Sequence, residues 1–171
     1  RCTMSEYGKS CCFTGHRPQK LPWGYNELDP RCLAFKAKLA AVIKAVYESG
    51  IKHFICGMAL GCDMYCAEAV IELRKSFDDI TLEAAVPYDG QDAKWSEQNR
   101  RRYRGILMQC DTTTLIQDAY TPSCMMRRNK YMVDNSNVLI ACYNGSSGGT
   151  WNTVRYAMEK DIEIIQVEIE I

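Results

Sequence analysis

Apolar residues along this chain alternate between two rhythms. Short, nearly uninterrupted runs recur over 10–14, 51–56, 81–86, 112–116, 138–142 and 162–169, and longer stretches with helical spacing lie between them. Runs of the first kind suit strands covered on both faces of a parallel sheet. Leu33, Phe35, Ala37, Leu39, Ala40, Val42, Ile43, Val46 and Tyr47 predict a long amphipathic helix, with Asp29 placed to cap its start and Gly50 to stop it. Further helices are predicted over 62–77, where Ala67, Val70, Ile71 and Leu73 supply the apolar face, and over 92–108 and 151–160. Another is predicted over 124–134, with Met125, Met126, Met132 and Val133 inward. Strands alternating with helices throughout imply an α/β chain with a doubly wound, mostly parallel sheet flanked by helices. One domain is expected over 10–171, after a polar, frayed segment at 1–9.

Composition narrows the picture little. Of 171 residues 47% are apolar, enough for a full core, and 21 basic side chains balance 21 acidic ones. A net charge of zero gives no field of one sign to attract nucleic acid or an anionic membrane. No run reaches the roughly 20 apolar residues of a membrane span, and no signal pattern opens the chain, so the expected location is the cytoplasm. Of the ten cysteines, Cys11, Cys12, Cys56 and Cys142 fall in predicted core strands and Cys62 and Cys66 in a helix, as buried reduced thiols would. Cys62 and Cys66 share a helix face, but with only His16 and His53 to join them no metal site is expected. Arg100, Arg101, Arg102 and Arg104 crowd one predicted helix and read first as a solvated face.

The chemistry lies in the loops that follow strands. From Cys56 to Glu68 a buried run meets a glycine-bracketed loop and then a helix. Gly57 and Gly61 let backbone approach a ligand closely, and the free N–H groups of the next helix favour an anion. Two more such loops are Gly15-His16-Arg17-Pro18 and the stretch from Gly145 to Thr150. In a doubly wound sheet all three emerge on one edge, where ligands bind at the reversal of strand order. Gly148, Gly149 and Thr150 suit phosphate, or else form a plain helix cap. Arg17 and Arg128 can fork onto phosphate or ribose-linked oxygens, or else form surface ion pairs. His16 either touches ligand or holds its turn. Asp63 either complements the helix dipole or faces sugar hydroxyls, because a carboxylate beside phosphate is repulsive. Tyr88 and Trp95 flank Gln91 as a base-stacking and edge-reading set, with core packing as the competing account. Met58 and Ala59 complete the second loop, and Asn129 and Asp134 read as supporting or capping residues.

These motifs resemble a known superfamily. Gly57-x-Ala59-x-Gly61-x-Asp63 and Gly15-His16-Arg17 resemble the Rossmann-like domain of the DNA-processing protein A (Smf) family. Arg128, Met132, Ser136 and Leu139-Ile140-Ala141 before Gly149-Thr150 are similar to the LOG phosphoribohydrolases, once labelled lysine decarboxylase-like. Both belong to the SLOG superfamily. The set Gly15 to Pro18, Gly57 to Gly61, Pro87-Tyr88 with Gln91 and Trp95, Arg128 to Asp134 and Gly148 to Thr150 most resembles its YpsA-like branch. The resemblance implies a Rossmann-like fold, self-association as a homo-oligomer, and an ADP-ribose-like, nucleotide-derived ligand held as by a binding or sensing module. No cofactor beyond that ligand is implied. LOG enzymes carry a glutamate three residues after the loop threonine, where this chain has Thr153. Cleavage of a nucleoside monophosphate at its N-glycosidic bond needs such a carboxylate, and Asp63, Asp134 or Glu68 are the substitutes at hand. Catalytic residues are therefore unassigned. Single-stranded nucleic-acid binding is the third reading, with zero net charge against it.

Overall fold

A computed structural model of the chain describes residues 8–170, and the segment 1–7, most of the expected frayed start, lies outside the described residues. Six strands form one sheet: β1 (Ser10–Gly15), β2 (His53–Cys56), β3 (Thr81–Val86), β4 (Thr112–Leu115), β5 (Val138–Tyr143) and β6 (Glu163–Glu168). Their order is β4-β3-β2-β1-β5-β6, and every neighbouring pair is parallel. The chain moves outward from β1 to β4, then returns to β5 on the other side of β1. That reversal opens a crevice between β1 and β5 at the carboxyl edge of the sheet.

The same reversal sorts the helices. Right-handed crossovers put α1 (Pro30–Glu48), α2 (Cys62–Arg74) and α3 (Glu97–Gln109) on one face, and α4 (Cys124–Asp134) and α5 (Gly149–Glu159) on the other. Phe13, Phe54, Leu82 and Ile140 pack against Leu39 and Ile43 of α1, Met64 and Val70 of α2 and Ile106 of α3. Cys12, Ile55, Ala85 and Leu139 meet Met132 and Val133 of α4 and Val154 and Ala157 of α5. Because both faces are covered, alternate residues of one strand feed different cores, as the uninterrupted apolar runs require.

The structure differs from the sequence expectations at element ends. Helix α3 begins at Glu97 rather than Asp92, because the Ser96 hydroxyl accepts the Asn99 N–H at 3.2 Å and residues 89–94 are spent on turns. Helix α5 begins at Gly149, two residues early, since Gly148 at φ 137° ends the loop. Helix α2 stops at Arg74, and Pro18–Lys20 forms a single 3₁₀ turn that the apolar pattern does not announce. No helix among the described residues is long and apolar enough to cross a membrane.

One polar cluster is buried under α4. His53 pairs through Nδ1 with the Thr81 hydroxyl at 2.7 Å and through Nε2 with Glu83 Oε1 at 2.9 Å. Glu83 Oε2 accepts from the Thr114 hydroxyl at 2.8 Å and the Tyr131 hydroxyl at 2.6 Å. Burial pushes the Glu83 carboxyl up, but the bonds from His53, Tyr131 and Thr114 outweigh it and leave the group below its ordinary value. A carboxylate this well satisfied ties β2, β3, β4 and α4 together.

Candidate ligand cleft at the strand reversal

A cleft of about 310 Å³ opens at the carboxyl end of β1, where the chain reverses. Its lining includes Thr14, Gly15, His16 and Arg17 from β1 and its loop, Gln19 and Lys20 from the 3₁₀ turn, and Ala59 and Asp63 from the region after β2. Met125, Arg128 and Asn129 come from α4, and Gly149 and Thr150 from the start of α5. Three basic side chains and one carboxylate thus face a space at the small end of the roughly 300–1,000 Å³ typical of ligand pockets.

Glycines set the floor. A Cβ on Gly15 would come within 2.5 Å of Cys62 Cβ and 2.9 Å of Cys142 Cβ, so β1 reaches between α2 and β5 only without a side chain. Gly61, at φ 90°, packs so closely on the His16 carbonyl that a Cβ would lie 2.7 Å from it, and the Cys62 N–H donates to that carbonyl at 3.1 Å. The first and second loops are therefore one unit. Both α2 and α5 start from a glycine N-cap with no capping side chain, Gly61 and Gly148, so neither helix covers its own first N–H groups with a side-chain acceptor.

The deepest feature is a carboxylate beside a guanidinium. Asp63 is 6% exposed and Arg128 3% exposed. A Cβ on Gly57 would stand 2.9 Å from Asp63 Oδ2 and 3.0 Å from Arg128 Cζ, so the bare backbone at Gly57 makes room for the pair. Asp63 Oδ2 accepts the Ala59 N–H at 3.1 Å. Arg128 donates through Nη1 to the Gly57 carbonyl and through Nε to Asn129 Oδ1 at 2.8 Å, while Nη2 has the Met125 sulfur at 3.9 Å. Burial raises the Asp63 carboxyl above its ordinary value, with Arg128, the Ala59 N–H and Arg17 pulling it back only in part. Burial likewise lowers Arg128, with Asp63 opposing and Arg17 reinforcing that change. Met58, between Gly57 and Ala59, is held at φ 64° although it is not glycine, a strained conformation of the kind that functional loops hold.

At the other end, Lys20 closes over the third loop. Its Nζ donates to the Ser147 carbonyl at 2.8 Å and would lie 2.7 Å from a Cβ on Gly148. His16 Nε2 stands 3.1 Å from Asn144 Oδ1, and burial lowers the imidazole below its ordinary value, with the Asn144 contact opposing and Lys20 reinforcing the change. A neutral ring can donate or accept toward a ligand.

Of the residues singled out from the sequence, Gly15, His16, Arg17, Ala59, Asp63, Arg128, Asn129, Gly149 and Thr150 come together on this lining. Gly57, Gly61 and Gly148 shape it from behind. Met58 is buried, and its carbonyl accepts from Gln91 Nε2 at 3.1 Å. Gln91 also reaches the Tyr103 hydroxyl at 3.3 Å, Trp95 meets the Tyr103 ring edge to face at 5.2 Å, and Tyr88 does the same with Tyr120 at 5.4 Å. These three stand outside the lining, in the connection between β3 and α3, and Gln91 holds the second loop through the Met58 carbonyl. Lys20, Gln19, Met125 and Asn144 belong to no site motif in the sequence, and only Met125, as an apolar helix residue, carries any signal there.

The carboxylates at hand to replace a loop glutamate also separate. Thr153 is buried and donates to its own helix at the Gly149 carbonyl, 3.0 Å away. Asp134 accepts from the Tyr156 hydroxyl at 2.7 Å, and Glu68 is held by Arg102 at 2.6 Å. Asp63 is the one of the three on the cleft. The arginines of α3 all face carboxylates: Arg102 bridges Glu27 and Glu68, Arg101 meets Glu97, and Arg100 and Arg104 approach Asp92 at 3.7 and 3.5 Å.

A parallel sheet with helices on both faces and a cleft at its strand reversal defines a Rossmann-like α/β domain. The family model YpsA, described as the YspA SLOG family, matches residues 11–171, and the chain belongs to that family. It is 32% identical over 142 residues to the uncharacterized SPbeta prophage-derived protein YoqJ of Bacillus subtilis, covering 75% of this chain and 83% of that one. A UPF0398 protein of Bacillus pumilus is 26% identical over 144 residues, covering 83% of this chain and 77% of the relative. Among solved structures, DNA processing protein A (DprA) from Streptococcus pneumoniae superposes with a TM-score of 0.62 at 14% identity. That match takes in 92% of this chain but spans only half of DprA, and it is a likeness of fold.

Proposed function

We propose that this chain binds a phosphate-bearing nucleotide or nucleotide-derived small molecule in the cleft at the strand reversal, as a binding or sensing module. The observation that carries the reading is Arg128, a guanidinium almost wholly removed from water that lines the cleft and whose Nη2, among the described residues, has a thioether as its hydrogen-bond partner. Holding a cation there costs folding free energy that an anionic ligand offsets. Arg17, Lys20 and the uncapped start of α5 extend the same preference toward the mouth. SLOG membership and the shared DprA fold are consistent with a nucleotide-related role. The test is mass spectrometry of small molecules released on denaturing freshly purified protein, with an Arg128→Ala, Gly149→Asp double variant in parallel. A nucleotide-derived species from wild type alone is expected; the same species from both proteins would sink the cleft as its seat.

A second reading, N-glycosidic cleavage of a nucleoside monophosphate, has one observation in its favour. Asp63 supplies a buried carboxylate with raised proton affinity on the cleft, as a general acid needs. Release of free base by wild type and not by Asp63→Asn would bring it forward. Nucleic-acid binding gains nothing from α3, whose four arginines are each set against a carboxylate.

A further inference from the structure

We infer that the deep end of the cleft is a seat for the vicinal hydroxyls of a pentose, so that the ligand is a phosphorylated ribo-sugar and a 2-deoxy sugar is rejected. This rests on the nucleotide reading above and names which part of the ligand goes where.

The first observation is the state of Asp63. Its Oδ2 is engaged by the Ala59 N–H, but among the described residues no donor reaches Oδ1, and the side chain lines the cleft. Oδ1 is not one of the buried atoms shut off without a partner, so it opens on the cleft, where a donor from the ligand can reach it. Phosphate cannot supply it, since two anions in contact repel, and a fully ionised phosphate has no proton to give. A hydroxyl can. The second observation is Arg128 alongside, with Nη2 turned to a sulfur that accepts only weakly. An acceptor and a donor side by side match a pair of neighbouring hydroxyls, which donate to the carboxylate and accept from the guanidinium.

The phosphate then belongs at the opposite end. Lys20 and the uncapped start of α5 sit over the end of β5, whereas Asp63 and Arg128 sit over the end of β2, with β1 between. Two strand spacings separate these ends, roughly 10 Å. A pentose with a 5-phosphate bridges that span when a hydrogen bond is added at each end. The modest volume of the cleft suits a sugar phosphate, and any base extends beyond it.

Isothermal titration of the intact chain with inorganic phosphate, ribose 5-phosphate, 2-deoxyribose 5-phosphate and adenosine 5′-monophosphate tests this. Wild type should prefer ribose 5-phosphate to its 2-deoxy analogue on the order of 10–100-fold, the loss expected when a buried charged group is left without its hydroxyl. Asp63→Asn keeps an oxygen for the Ala59 N–H, so it should fold, hold inorganic phosphate as wild type does, and lose the ribo preference to within a few-fold. Equal affinity of wild type for the two sugars, or an undiminished preference in Asp63→Asn, would overturn the diol seat while leaving a phosphate site standing. Failure of all four compounds to bind would remove the nucleotide reading itself.

Discussion

Two buried carboxylates, one on the sheet and one on a helix beside it, behave in opposite ways. Glu83, in the middle of β3, receives donors at both oxygens from His53, Thr114 and Tyr131, and is held below its ordinary pKa. Asp63, at the start of α2, has one backbone donor on one oxygen and is pushed above its ordinary pKa. Both are nearly inaccessible, so burial alone does not separate them. Satisfaction does. A charge whose partners are all in the chain ties elements together, whereas one left partly unmatched beside an open space is matched by something that enters it.

Several substitutions would break or sharpen that contrast. Arg128→Ala should have the largest effect, about 3–5 kcal/mol in urea denaturation, because it leaves Asp63 buried without its countercharge. The same variant should lose the co-purifying ligand. Glu83→Gln should cost about 1–3 kcal/mol by orphaning a donor in the cluster, yet leave ligand retention unchanged. Its pH dependence has a definite sign. Because the folded Glu83 pKa lies below its ordinary value of 4.5, its contribution is fully present above that pH and is lost as pH falls through the folded pKa. Wild type should therefore lose more stability than Glu83→Gln on acidification below that point. Gly57→Ala should cost about 1–3 kcal/mol by crowding the Asp63–Arg128 pair, and should weaken ligand binding as well. Lys20→Ala should change stability by no more than about 0.5 kcal/mol, since the side chain is exposed, while still lowering affinity for phosphate in titration calorimetry.

Much of the architecture is legible in the order of residues alone. Continuous apolar runs report strands covered on both faces, and glycine-rich loops after β1, β2 and β5 converge on one edge because parallel topology leaves them nowhere else. The limits of that reading are equally physical. An aromatic after a strand looks the same whether it stacks on a base or on another ring, so only contacts with Tyr120 and Tyr103 place Tyr88 and Trp95. Lys20 joins the cleft because a single 3₁₀ turn meets a loop 127 residues further on, which no local pattern encodes. The Glu83 cluster draws on β2, β3, β4 and α4, so its completeness is invisible one segment at a time. Asp63 does stand out in sequence, as a motif residue that either complements the helix dipole or faces sugar hydroxyls, and its incomplete hydrogen bonding is what the fold adds.

Carbon-detected NMR titration of the Asp63 and Glu83 carboxyl groups in one sample, with and without ribose 5-phosphate, tests the contrast directly. In the free protein Asp63 should titrate above its ordinary value of 3.8 and Glu83 below its ordinary value of 4.5, and the sugar phosphate should move Asp63 alone. Titration of both groups in the same direction, or an Asp63 resonance indifferent to the sugar phosphate, would contradict the account.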